Sequence, residues 1–311
     1  MAAENEQVIL LDAGGTNSRL YSFEKETFKA EKICVFKPKD SIELKFRVRD
    51  EVKNKYGKNS KIGICGCFAG RVFKDKKIAS VTKWGEIINT KKLFDFLDQK
   101  RAIFFNDAEA AVFGLNFIKE RAKKEIFLGM KKNVYKKPFS LLYLGTGLGA
   151  ASFYNSGAPS EISAINMPLR EKERKRLKIR RDFLLDDLVS GRGLSTIARL
   201  LYKKSMTPEK ISKEISSGRM EEAGKLFARF LGRATKIFAL TQPVETIFLG
   251  GKPTEAFTEK FYNEFIREFL SDKINSWWLK EIAICKLDPH LELPLEGLKF
   301  LALEMVKEKI D

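Results

Sequence analysis

Histidine is almost missing from this chain: His290 stands alone among 311 residues. Cysteine is scarce at four residues, and glutamine occurs only as Gln7, Gln99 and Gln242. A zinc site needs Cys and His clustered at short spacing. Cys65-Gly66-Cys67 lacks that spacing, and His290 is far from it in sequence. The thiols Cys34, Cys65, Cys67 and Cys285 therefore read as small buried hydrophobes, with no zinc. No apolar run reaches the roughly 20 residues that span a bilayer, so no membrane partner is expected. Met1-Ala2-Ala3-Glu4-Asn5-Glu6 has neither the basic start nor the apolar core of a signal segment. A soluble, cytoplasmic protein is the expectation, with no low-complexity linker and no disordered tail.

What is present is a long, strongly basic chain. At 44% hydrophobic residues, 311 residues suffice for a large core and two domains. The formal net charge is +17, which raises nucleic-acid binding as an alternative. The lysines, however, are scattered and interleaved with Glu and Asp. Only Arg170 to Arg181 is a dense basic run; it carries Glu171 and Glu173 and reads as a helix. A solvated helix face is its first reading, attraction of an anionic ligand the second, RNA the third. No nucleic-acid partner is expected. Abundant Lys and Glu with three Gln is a heat-adapted composition.

The chain is organised around its first hairpin. Val8-Ile9-Leu10-Leu11 reads as a buried strand, and Ser18 to Phe23 alternates polar and apolar as a half-buried one. Between them lies Asp12-Ala13-Gly14-Gly15-Thr16-Asn17. Glycines in such a turn let the backbone approach a ligand and aim N–H groups at it, which suits phosphate oxygens. Asp12 has the chemistry to hold Mg²⁺, directly or through water. A plain hairpin also explains the glycines, but gives no reason for Asp12, Thr16 and Asn17 beside them. The pattern recurs: strand Phe139 to Leu144, turn Gly145-Thr146-Gly147-Leu148-Gly149, strand Ala150 to Tyr154. This second turn returns into a strand and has no Gly-Lys-Ser/Thr, so it is neither a P-loop nor a dinucleotide fingerprint.

Between the hairpins, Thr27 to Phe36 reads as a third antiparallel strand. Asp40 to Glu43 caps a helix through Val52 with Leu44, Phe46 and Val48 buried. Lys61 to Gly66 is a strand, Val72-Phe73 and Ile78 to Val81 a small hairpin, and Leu93, Phe94 and Leu97 one helical face. Ala102 to Phe105 is a strand ending in Asn106-Asp107 before a helix. There Asp107 has the position of a general base and Asn106 that of a substrate-orienting amide. The competing reading is that Asp107 only caps the helix, a role Asp fills often. Further on, Leu194 to Tyr202 is a helix, Thr207-Pro208-Glu209 caps another, and Met220 to Leu240 is a long one with Ala223, Leu226, Phe227 and Phe230 buried. Thr246 to Leu249 is a strand before Gly250-Gly251, Pro253 to Phe269 a helix, Ile282 to Leu287 the last strand, and Leu295 to Val306 the closing helix.

The two glycine hairpins, Asn106-Asp107 and Phe248-Leu249-Gly250-Gly251 together resemble the bacterial-type glucokinase family, sugar kinases of the hexokinase and actin-like ATPase superfamily. Asp12 to Asn17 is similar to its first phosphate motif, Gly145 to Gly149 to its second, and Gly250-Gly251 to its adenosine motif. Asn106-Asp107 resembles its sugar-binding and catalytic-base pair, Ser190-Gly191-Arg192-Gly193-Leu194 its Ser-Gly helix start, and Gly297 the close of the fold. The ordered set spans residue 8 to about residue 305.

The resemblance implies an α/β, two-lobed actin-like ATPase (ribonuclease H-like) fold, with duplicated mixed sheets and a cleft between the lobes. Residues 1–107, completed by a C-terminal helix of about 295–311, form the small lobe and 108–294 the large one. It also implies ATP and Mg²⁺ as cofactors, hexose phosphorylation as in glycolysis, and Asp107 as base. Asn106, Glu161 and Asp186 bind the sugar. Gly14, Gly15, Thr16, Asn17, Gly145, Thr146, Gly147, Gly250 and Gly251 bind the nucleotide, with Mg²⁺ at Asp12. A homodimer is compatible with it. Three positions depart from the family. Its Glu-Gly-Gly-His stretch is here Glu161-Ile162-Ser163-Ala164, its second sugar-binding Glu is Asp186, and the Asn three residues before Trp84 is Val81. These changes predict a roomier, less polar sugar pocket. The alternative function is a non-catalytic sugar or nucleotide sensor on the same fold.

Overall fold

The computed structural model describes residues 7–57, 62–73, 75, 77–119, 121–129, 134–154, 159–161, 168–179 and 184–307. In chain order these form β1 (Val8–Ala13), β2 (Ser18–Glu24), β3 (Lys29–Phe36), α1 (Ser41–Tyr56), β4 (Gly63–Phe68), β5 (Val72–Phe73), β6 (Ile78–Val81), β7 (Glu86–Asn89), α2 (Thr90–Leu93), β8 (Ala102–Asn106) and α3 (Asp107–Ile118). There follow β9 (Lys124–Leu128), β10 (Phe139–Leu144), β11 (Leu148–Phe153), β12 (Ser160–Glu161), α4 (Glu171–Leu177), α5 (Leu185–Leu188), α6 (Gly191–Tyr202), α7 (Pro208–Ser216) and α8 (Glu221–Thr241). The chain closes with β13 (Thr246–Gly250), α9 (Tyr262–Phe269), α10 (Ser276–Leu279), β14 (Ala283–Leu287) and α11 (Leu293–Lys307).

Both glycine hairpins form. β1 pairs antiparallel with β2 and parallel with β4, and β10 pairs antiparallel with β11 and parallel with β13. The strand orders are β3-β2-β1-β4-β8 and β12-β11-β10-β13-β14-β9. Place for place, the first five strands of the second sheet repeat the first sheet, and β9 adds an antiparallel edge to β14. β5, β6 and β7 form a separate three-stranded sheet.

The chain divides into two compact units, the described residues of 1–118 with those of 292–311, and those of 119–291. The boundary falls after α3 and not at residue 107, because α3 packs backbone to backbone on α11. A Cβ at Gly297 would lie 1.8 Å from Ala110 O, and one at Gly114 2.1 Å from Leu293 O, so only glycine permits this crossing. Gly297 lies inside the closing helix, which begins at Leu293, two residues earlier than the pattern predicts.

Val8 to Leu11 of β1 are all apolar because both faces of the strand are covered there. Ile9 and Leu11 pack in one cluster with Leu44 and Val48 of α1. Val8 and Leu10 pack in another with Leu298, Leu301 and Ala302 of α11. In the second unit Ala223, Leu226, Phe227 and Phe230 of α8 are buried in the core, as their spacing predicts.

Local departures from the sequence pattern have visible causes. Phe46, expected in the core, is exposed beneath the Arg49 guanidinium, while Val52 takes the third inward position of α1. Phe94 and Leu97 are buried, yet the helix before them ends at Leu93. Pro253 to Phe269 is no continuous helix: short 3-10 turns over Lys252–Ala256 and Glu259–Phe261 precede α9. No helix among the described residues is long and apolar enough to cross a membrane.

Candidate active site

In the first unit the carboxyl ends of β1, β4 and β8 align. Asp12 lies opposite Cys67, Ala13 opposite Phe68, and Phe68 opposite Asn106. Asp12 also faces Arg19 across the hairpin, whose Nη1 donates to Asp12 Oδ2 at 2.6 Å. Cys67 Sγ lies 3.7 Å from Asp12 Oδ1 as a weak donor. Burial pushes the Asp12 carboxyl above its usual range, and Arg19 pulls it back. The Cys67 thiol is held neutral, its pKa driven up by burial and then by Asp12 and Asp107. Asp12 and Asp107 thus share one sheet edge with Cys67 between their fields. The turn Gly14–Asn17 is partly exposed and tight, a Cβ at Gly14 falling 3.0 Å from Asn17 O.

The start of α3 separates two roles. Asn106 Oδ1 accepts from the N–H groups of Ala108 at 2.7 Å and Glu109 at 3.2 Å, and Glu109 Oε2 accepts from Asn106 N at 3.3 Å. This is a reciprocal capping box, with Asn106 as cap. Asn106 Nδ2 donates to Gly70 O at 2.9 Å. Asp107, the alternative cap by sequence, is the first helical residue instead; its Oδ1 accepts from its neighbour Ala108 N at 3.0 Å.

In the second unit three segments converge. Gly145 N donates to Gly147 O, and Gly191 N donates to Gly145 O, each at 2.9 Å. Arg192 Nε donates to Thr146 O at 3.2 Å. Ser190 Oγ accepts from Gly193 N at 3.1 Å and so caps α6. Gly251, at φ +94°, abuts the end of β10 so closely that a Cβ would fall 2.1 Å from Leu144 O. The turn of Gly145, Thr146 and Gly147, the start of α6 and Gly250-Gly251 are therefore neighbours. Gly145 and Gly147 differ from Gly251. Neither has a positive φ, and a Cβ on either would meet no protein atom closer than 3.9 Å.

Asp186 sits on α5, just before that helix start. Burial raises its carboxyl pKa, Arg192 among others opposes the rise, and Oδ1 is buried without a hydrogen-bond partner among the described residues. Glu161 lies one strand further out, on β12 opposite Ala151. Ile162, Ser163 and Ala164 lie outside the described residues. Val81, expected to line a pocket with apolar surface, is instead 2% exposed within the first unit's core.

Sequence reasoning missed Arg19, Cys67, Glu109 and Arg192. Two had a readable signal. In a tight hairpin the register brings Arg19 opposite Asp12, and Glu109 stands three residues after Asn106, the spacing of a capping box. Among the described residues no group of three or more His, Cys, Asp or Glu side chains is arranged to hold a metal ion. Asp12 Oδ2 is engaged by Arg19, which leaves Oδ1, beside Cys67 Sγ, as the oxygen that would face a metal or its water.

Solved structures define the class of protein to which this fold belongs. A glucokinase from Balamuthia mandrillaris, in complex with glucose, superposes with a TM-score of 0.78 at 21% identity, over 96% of this chain and 93% of that one. A ROK family glucokinase from Streptomyces griseus, in complex with glucose and AMPPNP, gives 0.66 at 17% identity, over 96% and 99%. A ROK family transcriptional regulator, a homolog of the E. coli MLC protein, gives 0.67 at 14% identity, over 97% and 79%. The fold is the two-lobed, actin-like fold of the sugar kinases. No curated protein sequence matches the chain significantly. The Glucokinase family model matches residues 9–285, and the chain belongs to the glucokinase family.

Proposed function

We propose that this chain is an ATP-dependent hexose kinase that transfers the γ-phosphate to the primary hydroxyl of glucose or a related hexose. The observation that carries the reading is the start of α3. Asn106 and Glu109 form the capping box, so Asp107 is not needed as the cap at the carboxyl end of β8. In this reading Asp107 takes the hydroxyl proton as the sugar oxygen attacks the γ-phosphorus. The new P–O bond forms as the β–γ bridging P–O bond breaks, and ADP leaves.

Backbone amides at Gly14, Gly15, Thr16 and Asn17, and at Thr146 and Gly147, meet the phosphate oxygens, while Gly145, whose own N–H is held by Gly147 O, lets the phosphates approach the turn. Gly145 and Gly147 support this, since nothing in the protein around them demands glycine. Arg192, held against Thr146, adds positive charge at the same turn. Gly250 and Gly251 lie against the adenosine. Mg²⁺ arrives with ATP as part of the substrate and offsets phosphate charge. Asp12, already paired with Arg19, meets it through water. Asn106 offers the sugar its remaining amide N–H, and Glu161 and Asp186 accept from sugar hydroxyls. The second reading, a non-catalytic sensor, draws on the regulator that shares the fold.

A coupled assay over hexoses, amino sugars and N-acetyl sugars tests both. A kinase turns over at least one sugar, and Asp107→Asn lowers turnover about 10²–10⁴-fold while nucleotide binding stays near normal. Turnover unchanged in that variant would remove Asp107 as base, and no turnover with any sugar would favour the sensor.

A further inference from the structure

The dense basic run singled out by sequence is only partly a solvated face. Its described portion, α4, lies over α8 and α9 of the second unit and helps to enclose a cavity of about 370 Å³, within the size range of small-molecule sites. Arg170, Lys172, Arg176, Arg229 and Arg267 line it, together with Glu173 and Glu268. Beside it, the buried Arg233 reaches Glu173 Oε2 at 2.8 Å.

The ion pairs around this cavity do not balance. Arg170 pairs with Glu268 at 3.0 Å, Arg229 with Glu264 at 2.6 Å, and Arg176 with Glu222. Arg267 has only a share of the same Glu264. Lys172 has no ion-pair partner among the described residues, so six cations face four carboxylates. Arg233 Nη2 is buried without an acceptor among the described residues. A surplus of about two positive charges around the cavity describes a particular ligand chemistry. A dianion would match the surplus.

We propose that the cavity between α4, α8 and α9 binds a dianionic phosphate group, either the free ion or the end of a small phosphorylated polyol. The proposal stands apart from the kinase reading, because none of these residues belongs to the candidate active site.

Calorimetry with inorganic phosphate and with glycerol 3-phosphate, at matched ionic strength in chloride, tests it. Lys172 and Arg267 are exposed, so the double variant Lys172→Gln, Arg267→Gln keeps the fold, which its melting curve verifies. Binding to the unmutated protein, weakened at least about tenfold in the double variant and unaffected by Gly147→Val, is expected. Tighter binding of glycerol 3-phosphate than of phosphate assigns the site to an ester, and equal binding assigns it to the free ion. Equal affinity in the double variant and the unmutated protein overturns the proposal, as does no binding to the unmutated protein.

Discussion

Asp186 is a carboxylate that the fold makes uncomfortable. Its folded pKa is raised, first by burial, above the usual value of about 4. A carboxyl raised on folding costs stability above its unfolded pKa, and the cost fades as pH falls through the folded value. Asp186→Asn is therefore expected to raise the melting temperature at pH 7, with the gain vanishing below about pH 4. The same variant should weaken sugar binding if the carboxylate accepts from a hydroxyl. A melting temperature unchanged at pH 7 would mean that Arg192 already offsets the burial. The prediction for Asp107 belongs to this scale too. Because Asn106 holds the cap, Asp107→Asn should leave the melting temperature near normal while turnover falls.

Elements make two opposite predictions about glycine. At Gly147 an added side chain enters open space near Arg192, whose Nη2 would be 4.0 Å from the new Cβ. Gly147→Val should fold normally, weaken ATP binding and spare sugar binding; calorimetry showing the reverse would displace this turn from the nucleotide site. At Gly297 a Cβ would sit 1.8 Å from a backbone oxygen of α3. Gly297→Val must push α11 off α3, at a cost of about 1–3 kcal/mol or more in urea unfolding. A loss well below that range would show that the two helices slide apart easily.

The described residues form two compact units, and one cluster of the first is completed only by α11. Val8, Leu10, Cys65 and Cys67 on one face of the first sheet share a cluster with Leu298, Leu301 and Ala302. Removing residues 292–311 should expose that face and make residues 1–118 protease-sensitive, while 119–291 survives as a resistant fragment. Equal resistance of both units in the truncated chain would contradict this division.

The sequence alone determined the strands of the first sheet, β10, β11, β13 and β14, the two glycine hairpins and most helix starts, because each rests on residues adjacent in the chain, whereas the edge strands β7, β9 and β12 went unread. Val8 to Leu11 is apolar, Gly14-Gly15 turns, and Thr207-Pro208 caps whatever lies far away. It also made the doubling legible, since the same short pattern occurs twice. Tertiary structure alone decided what the polar groups do. Val81 looked like pocket lining until its side chain was found in the core. The basic run looked solvated until Glu173, Glu222 and Glu268 were brought to it from other segments or turned inward. A backbone preference is local and can be read in order, whereas a charge is defined by its neighbours, and these come from anywhere in the chain.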